Sequence, residues 1–221
     1  KPFICVSFMF DLTFPQLKEV CEYAKRSRPG SCIAIGGVSA TADPDRLLTE
    51  DLADLTFSHE GERNLESFFK FIRGKETRDN NADGTEAGLP MNLSFLDSSG
   101  GVLHTPMATA GEVDLDIREE YSRISINEYH LAGSLSNFSR MEGVDVPFAP
   151  VLSRRGCRAR CSFCGVRNFN GKAVRVRDVD GVISEMEHLH HNHGIKHFDW
   201  LDDDLLFDRP AALELFGKMA L

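Results

Sequence analysis

The sequence has no apolar run approaching the roughly 18 residues that a membrane-spanning helix needs. It also lacks a secretory signal, because the opening residues KPFICVSFMF lead to Asp11 without a small-residue cleavage site and are better interpreted as a buried strand. Six cysteines in a chain without such a signal favour a reducing compartment. We therefore expect a cytoplasmic protein with no membrane span.

An excess of basic residues is lacking as well. The formal net charge of −9 argues against nucleic acid as a partner. The exception is a basic run that contains eight Lys or Arg and no acid: Arg154, Arg155, Arg158, Arg160, Arg167, Lys172, Arg175 and Arg177. Such a run can bind phosphate groups, but balancing the charge of an anionic cofactor is the favoured interpretation.

Residues 1–74 alternate predicted strands and helices. Strands are predicted at 3–9, 31–35 and 55–58, and helices from Thr13, over 44–49 and over 62–73. This order is typical of a parallel, doubly wound sheet, whose ligands bind at the carboxyl ends of the strands. Both chain ends fall inside such patterns, so we expect a fragment of a longer protein.

Residues 75–147 break this order. The polar, Gly-rich stretch 75–88 predicts a loop, residues 93–106 predict a small hairpin that turns at 98–101, and the remainder predicts a linker. Residues 148–221 return to β/α order. They comprise a strand at 148–153, a helix over 179–193 between Asp178 and Gly194, a strand at 196–201 and a last helix opened by Pro210.

Three cysteines with C-x3-C-x2-C spacing, Cys157, Cys161 and Cys164, follow the strand at 148–153. Thiolates select iron–sulfur clusters or zinc. No fourth cysteine lies nearby, so a four-iron cluster would keep one iron open to a substrate or cofactor. A non-catalytic zinc or iron–sulfur module is the alternative, with a fourth ligand from a histidine tract: His188, His190, His191, His193 and His197.

This spacing, with the aromatic Phe163 before the last cysteine, resembles the radical S-adenosylmethionine superfamily. The resemblance implies that the three cysteines hold a 4Fe–4S cluster whose open iron binds S-adenosylmethionine, and that one electron cleaves the cofactor to a 5′-deoxyadenosyl radical. It implies that Phe163 packs near the adenine. It also implies that one or two of three aspartates contact the methionine part: Asp202, Asp203 and Asp204. The alternative is that they form a solvated loop or cap the next helix.

The first 74 residues resemble the later part of a cobalamin-binding domain. Ser7 and the Gly36-Gly37 pair match positions at which that module approaches the cofactor, and His59-Glu60-Gly61-Glu62 resembles its Gly-Glu-Gly-Glu run with His in place of the first Gly. The cobalt-ligating Asp-x-His-x-x-Gly motif would precede Lys1. The implied fold is α/β: a partial doubly wound parallel sheet (1–74), a linker with a small hairpin (75–147), and the first β/α units of a partial TIM-type barrel (148–221).

These resemblances imply a cobalamin-linked radical S-adenosylmethionine enzyme that methylates, cyclises or rearranges an unidentified small molecule or peptide. An electron donor such as flavodoxin or ferredoxin would be its partner. A tRNA methylthiotransferase is the alternative that the basic run favours. It would need a second cluster on three N-terminal cysteines, but Cys5, Cys21 and Cys32 are unsuitably spaced and are expected to be small buried residues.

Overall fold

The computed structural model describes residues 2–73, 89–108, 118–132 and 146–220. The chain divides into two compact units, Lys1–Ala110 with Arg160–Gly171, and Gly111–Ala159 with Lys172–Leu221. This division differs from the sequence boundaries at residues 74 and 147, since the hairpin and part of the cysteine loop belong to the first unit. The predicted loop at 75–88 lies outside the described residues.

The first unit contains one five-stranded sheet in the order β1-β2-β3-β4-β5. Strands β1 to β3 are parallel, and β4 and β5 are antiparallel. The elements of this unit are β1 (Phe3–Ser7), α1 (Phe14–Ser27), β2 (Cys32–Gly36), α2 (Val38–Ala42), α3 (Pro44–Thr49), β3 (Leu55–Phe57), α4 (Gly61–Ile72), β4 (Leu93–Leu96) and β5 (Val102–His104). Helix α5 (Val166–Asn170) also belongs to this unit, although it lies later in the chain, among the elements of the second unit.

Helices cover both faces of this sheet because side chains alternate along a strand. Ile33 and Ile35 of β2 pack with α1 and α3, whereas Ala34 packs with Phe68 of α4 on the opposite face. The predicted α/β class is confirmed, with a mixed sheet in place of a purely parallel one. The hairpin causes this difference, since β4 pairs with β3 and so joins the sheet.

Two helix ends in this unit depart from the regular pattern. Thr13 occupies the N-cap position of α1, but its hydroxyl makes no capping bond and donates instead to the carbonyl oxygen of Phe10 at 2.7 Å. Ile72 is the last residue of α4 and is 52% exposed, whereas Phe68 in the same helix is buried. Both positions lie at helix ends, where the helical period alone is a weak guide.

The second unit is built around a parallel pair of strands joined through a helix. Its elements are β6 (Phe148–Val151), β7 (Arg154–Arg155), β8 (Arg175–Val176), α6 (Val179–His193), β9 (His197–Trp200) and α7 (Arg209–Met219). Strand β6 pairs with β9, and β7 with β8. Helix α6 has its predicted bounds: the Asp178 carboxylate accepts from the Gly181 amide, and Gly194 ends the helix at φ +71°.

Two 3₁₀ segments, Arg118–Arg123 and Ile126–Ala132, complete the core of the second unit. Their residues Tyr121 and Ile126 pack with Ala149 of β6 and Leu189 of α6. No described helix combines the length and the apolar character that crossing a membrane requires.

Candidate functional site

Two neighbouring glycines lie at the carboxyl edge of the first sheet. Gly37 has φ +107°, and a Cβ atom there would lie 2.5 Å from the carbonyl oxygen of Phe8, so the backbone itself requires glycine. Gly36 has ordinary space for a Cβ atom, whose nearest neighbour would be 3.5 Å away. The exposed Ser7 pairs with Gly36 at this edge. The backbone therefore requires Gly37, and cofactor contacts of Ser7, Gly36 and Gly37 stay predictions.

The same edge holds the segment that follows the cysteine loop. Helix α5 packs against α2, and the ring Nδ1 of His59 lies 2.9 Å from the carbonyl oxygen of Phe169. Ahead of α5, Cys161 and Cys164 are exposed and the ring of Phe163 is 90% exposed. These three side chains are accessible to a ligand, as the sequence predicts for a cofactor loop, although their roles stay predictions.

Cys157 belongs to the second unit. It follows Gly156, where φ is +94° and a Cβ atom would lie 2.5 Å from the carbonyl oxygen of Ala173. The Cys157 thiol is half-buried, and the amide of Ala159 donates to its Sγ at 3.4 Å. The turn into the cysteine loop therefore depends on glycine, and it holds Cys157 beside a backbone N–H group.

The three predicted aspartates have different environments. Asp202 accepts hydrogen bonds from the Ser153 amide at 2.7 Å, from the Ser153 hydroxyl and from the Arg154 amide at 3.1 Å, which ties the end of β9 to the end of β6. Asp203 is exposed. The Asp204 carboxylate lies 4.0 Å from Cys157 Sγ and pairs with Arg158 at 3.1 Å. Asp204 is thus the member of the set that lies beside a predicted ligand.

The capping alternative for these aspartates is wrong. The side chain that caps α7 is Asp208, which accepts from the Ala211 amide at 3.2 Å. Asp202 serves the strand ends as described above, and Asp204 faces the start of the cysteine loop.

A cavity of about 300 Å³ opens in the second unit beside the carboxyl ends of β6 and β9. Its lining is mostly apolar, with Glu185 on one wall. Glu185 accepts from the hydroxyl of Tyr121 at 2.6 Å and pairs with Arg177 at 2.6 Å. Burial, together with the hydrogen bond to Glu185, raises the pKa of Tyr121. Sequence analysis missed this cluster, although an acid between Val182 and Met186 on an apolar stripe was a visible signal.

The histidine tract does not form a metal site among the described residues. His190 and His191 use Nδ1 for carbonyl oxygens of Ile195 and Glu187, and His188 pairs with Asn192. Within the ranges that the structure describes, no group of three or more His, Cys, Asp or Glu side chains has an arrangement that could hold a metal ion. The three-cysteine ligand set therefore rests on the sequence motif.

The features that favoured a tRNA methylthiotransferase are weaker in the structure. Cys5 lies on β1, Cys21 within α1 and Cys32 on β2, and the described residues do not gather them into a metal site. Only Cys21 is buried, so the expectation of burial is wrong for the exposed Cys5 and the half-buried Cys32. The basic run is not one solvated patch, since Arg154 is 2% exposed and Arg177 pairs with Glu185.

No protein-family model matches the chain. An uncharacterised methyltransferase of Pyrococcus horikoshii is 26% identical over 197 residues, which cover 89% of this chain and 38% of the relative. The cytidylyl-2-hydroxyethylphosphonate methyltransferase of Streptomyces wedmorensis is 25% identical over 224 residues, which cover 96% of this chain and 41% of the relative. The chain therefore spans about two fifths of the length of these relatives.

A solved structure shares the fold. The radical S-adenosylmethionine methyltransferase TsrM from Kitasatospora setae, with cobalamin and a 4Fe–4S cluster bound, matches with a TM-score of 0.63 at 17% identity, covering 98% of this chain and 40% of TsrM. The resemblance that the sequence predicts is therefore confirmed at the level of the fold, and the two curated relatives are methyltransferases.

Proposed function

We propose that the chain is part of a cobalamin-linked radical S-adenosylmethionine methyltransferase, in which Cys157, Cys161 and Cys164 hold a 4Fe–4S cluster. The observation that carries the proposal is the set of three cysteine thiols outside any disulfide that follows the carboxyl end of β6, in a fold shared with an enzyme of this branch. The substrate would be a small molecule or a peptide, and a flavodoxin or ferredoxin would supply electrons.

The donor chemistry of the cysteine loop fits an iron–sulfur cluster. Three thiols provide soft ligands and leave one iron without a protein ligand. Cys161 and Cys164 are accessible, and the Ala159 amide offers Cys157 the kind of N–H···S contact that tunes a cluster. When bound, the cluster would supply the electron that cleaves S-adenosylmethionine, and cobalamin would carry a methyl group.

The other cofactor contacts follow from exposure and position. Phe163 offers an open ring to the adenine, and Asp204, together with Asp203, lies at the strand end where the methionine part is expected. Ser7 and Gly36 form the part of the sheet edge that cobalamin would approach. We further propose that β6, α6, β9 and α7 are the first two β/α units of a TIM-type barrel.

Anaerobic reconstitution of the full chain tests the cluster directly. We expect about four irons per chain and the absorption of a 4Fe–4S cluster. Alanine at Cys157, Cys161 or Cys164 should each remove most of the iron. The matched control is Cys5→Ala, which deletes an exposed thiol outside the motif and should keep the iron. A wild-type chain that binds no iron would contradict the proposal.

A further inference from the structure

A non-glycine residue with a left-handed backbone follows the third strand. His59 has φ +63°, at the position where the resembling run has its first Gly. Histidine, asparagine and aspartate tolerate this region better than most residues, but glycine tolerates it with least strain. A side chain at such a position usually compensates for its cost through a contact that glycine cannot make.

His59 makes that contact with the segment after the cysteine loop. Its Nδ1 lies 2.9 Å from the carbonyl oxygen of Phe169 in α5. A carbonyl oxygen can only accept, so Nδ1 carries the hydrogen. The His59 amide donates to the hydroxyl of Thr41 at 2.8 Å, and that hydroxyl donates to the carbonyl oxygen of Gly37 at 2.9 Å.

These hydrogen bonds form one continuous chain within the first unit. It starts at the Gly37 turn, passes through Thr41 and His59, and ends at Phe169, five residues after Cys164. A second contact runs alongside, since α5, which begins directly after Gly165, packs against α2. These contacts therefore hold the segment that contains Cys161 and Cys164 in a fixed position relative to the Gly36-Gly37 turn.

We infer that His59 is a positioning residue for the proposed reaction: it fixes the part of the cluster loop that carries Cys161 and Cys164 against the sheet edge that faces cobalamin. This inference rests on the proposed function for its chemical consequence. The fixed position of the loop, however, does not depend on bound metal and can be tested without it. The residue acts through Phe169 and the loop and does not touch the reacting atoms.

Four side chains at position 59 separate the hydrogen bond from shape and charge. In His59→Asn the amide nitrogen occupies the same place along the side chain as Nδ1 and can donate to Phe169, and Asn tolerates a positive φ. The His59→Asp side chain has nearly the same shape as that of the Asn variant, but its carboxylate can only accept hydrogen bonds. His59→Leu neither donates nor carries charge, so it controls for the negative charge of Asp.

Hydrogen exchange in the metal-free protein tests whether His59 holds α5 in place. Backbone amides of residues 165–171 should exchange about two- to tenfold faster in the Asp and Leu variants, the range expected for one lost hydrogen bond, and at the wild-type rate in the Asn variant. Nitrogen chemical shifts of His59 should show the Nδ1–H tautomer. Equal exchange in all four proteins, or an Nε2–H tautomer, would overturn the inference.

Spectroscopy of the reconstituted chain tests the chemical consequence. We expect the electron paramagnetic resonance spectrum of the reduced cluster to change in the Asp and Leu variants and to be restored by Asn, with iron content retained in all. Identical spectra in all four proteins would overturn the positioning role. If the wild type binds no iron, the proposed function fails, whereas the exchange result still decides whether His59 holds the loop.

Discussion

At the scale of single residues, Gly36 and Gly37 are neighbours with opposite requirements. Gly37→Ala would force a Cβ atom to 2.5 Å from the Phe8 carbonyl oxygen in a backbone region that is nearly exclusive to glycine. We expect this change to lower the free energy of unfolding by about 2–4 kcal/mol. Denaturant titration of the metal-free protein followed by circular dichroism would measure it.

Gly36→Ala is the matched control. Its Cβ atom would make ordinary contacts, the nearest at 3.5 Å, so unfolding should change by less than about 1 kcal/mol. If Gly36 borders bound cobalamin, the same variant should weaken cobalamin binding without loss of stability. A Gly37→Ala protein as stable as Gly36→Ala would contradict the close approach of Phe8.

Asp202 offers a second prediction at this scale. Its carboxylate collects three hydrogen bonds from Ser153 and Arg154, so Asp202→Ala leaves partly buried donors without an acceptor. The free energy of unfolding should fall by about 2–3 kcal/mol. Asp180→Ala removes a 77% exposed partner of Lys218 and should cost less than about 1 kcal/mol. Thermal unfolding of both variants would decide, and equal losses would contradict the clamp.

At the scale of elements, a buried tyrosine joins the first 3₁₀ segment to α6. The pKa of Tyr121 is raised in the folded protein by burial and by Glu185, above the value of about 10 in an unfolded chain. The folded state therefore holds this proton more tightly. The corresponding stabilisation is fully present below about pH 10 and is lost as the pH rises from there toward the folded pKa.

Tyr121→Phe should consequently be less stable than wild type by about 1–3 kcal/mol near neutral pH, because Glu185 loses a donor. The difference should shrink as the pH rises beyond about 10. Urea denaturation between neutral and alkaline pH would measure it. Tyr23→Phe alters a ring that is 66% exposed and should change the free energy of unfolding near neutral pH by less than about 1 kcal/mol. A difference for Tyr121→Phe that is constant with pH would contradict the assignment.

Elements whose signals are local were predictable from the sequence. Helices α3 and α6 have their predicted bounds because Pro44, Asp178 and Gly194 act within one turn of the helix end. Pairing between distant segments was not predictable: nothing local specifies that β4 joins β3. Short elements such as α2 and the β7–β8 ladder were missed, since five or fewer residues give no period.

The candidate site shows the same difference between local signals, which the sequence reveals, and contacts between distant residues, which it does not. The cysteine motif is readable because its three cysteines lie within eight residues. Asp202 accepts from Ser153, which is 49 residues away in the chain, and Glu185 accepts from Tyr121, which is 64 residues away. Only the fold therefore reveals that Asp202 joins two strands and that Glu185 belongs to a buried cluster.

At the scale of the whole molecule, charge predicts weak binding to nucleic acid. The net charge is −9. Within the basic run Arg154 is buried and Arg177 pairs with Glu185, which leaves fewer basic groups to contact a phosphate backbone. Binding of tRNA at physiological salt should therefore have a Kd weaker than about 10⁻⁵ M and should fade as salt rises. Filter binding across a salt series would measure it; tight, salt-resistant binding would favour the methylthiotransferase alternative.

The division of the chain has a consequence for its inheritance. Residues 160–171 belong to the first unit but are encoded inside the second. Recombination near residue 110 would replace the sheet of the first unit but keep Phe169, which would then face a different residue at position 59. The two units are therefore not freely interchangeable: a hybrid would need a side chain at position 59 that donates to the backbone carbonyl oxygen of Phe169, as His59 does here.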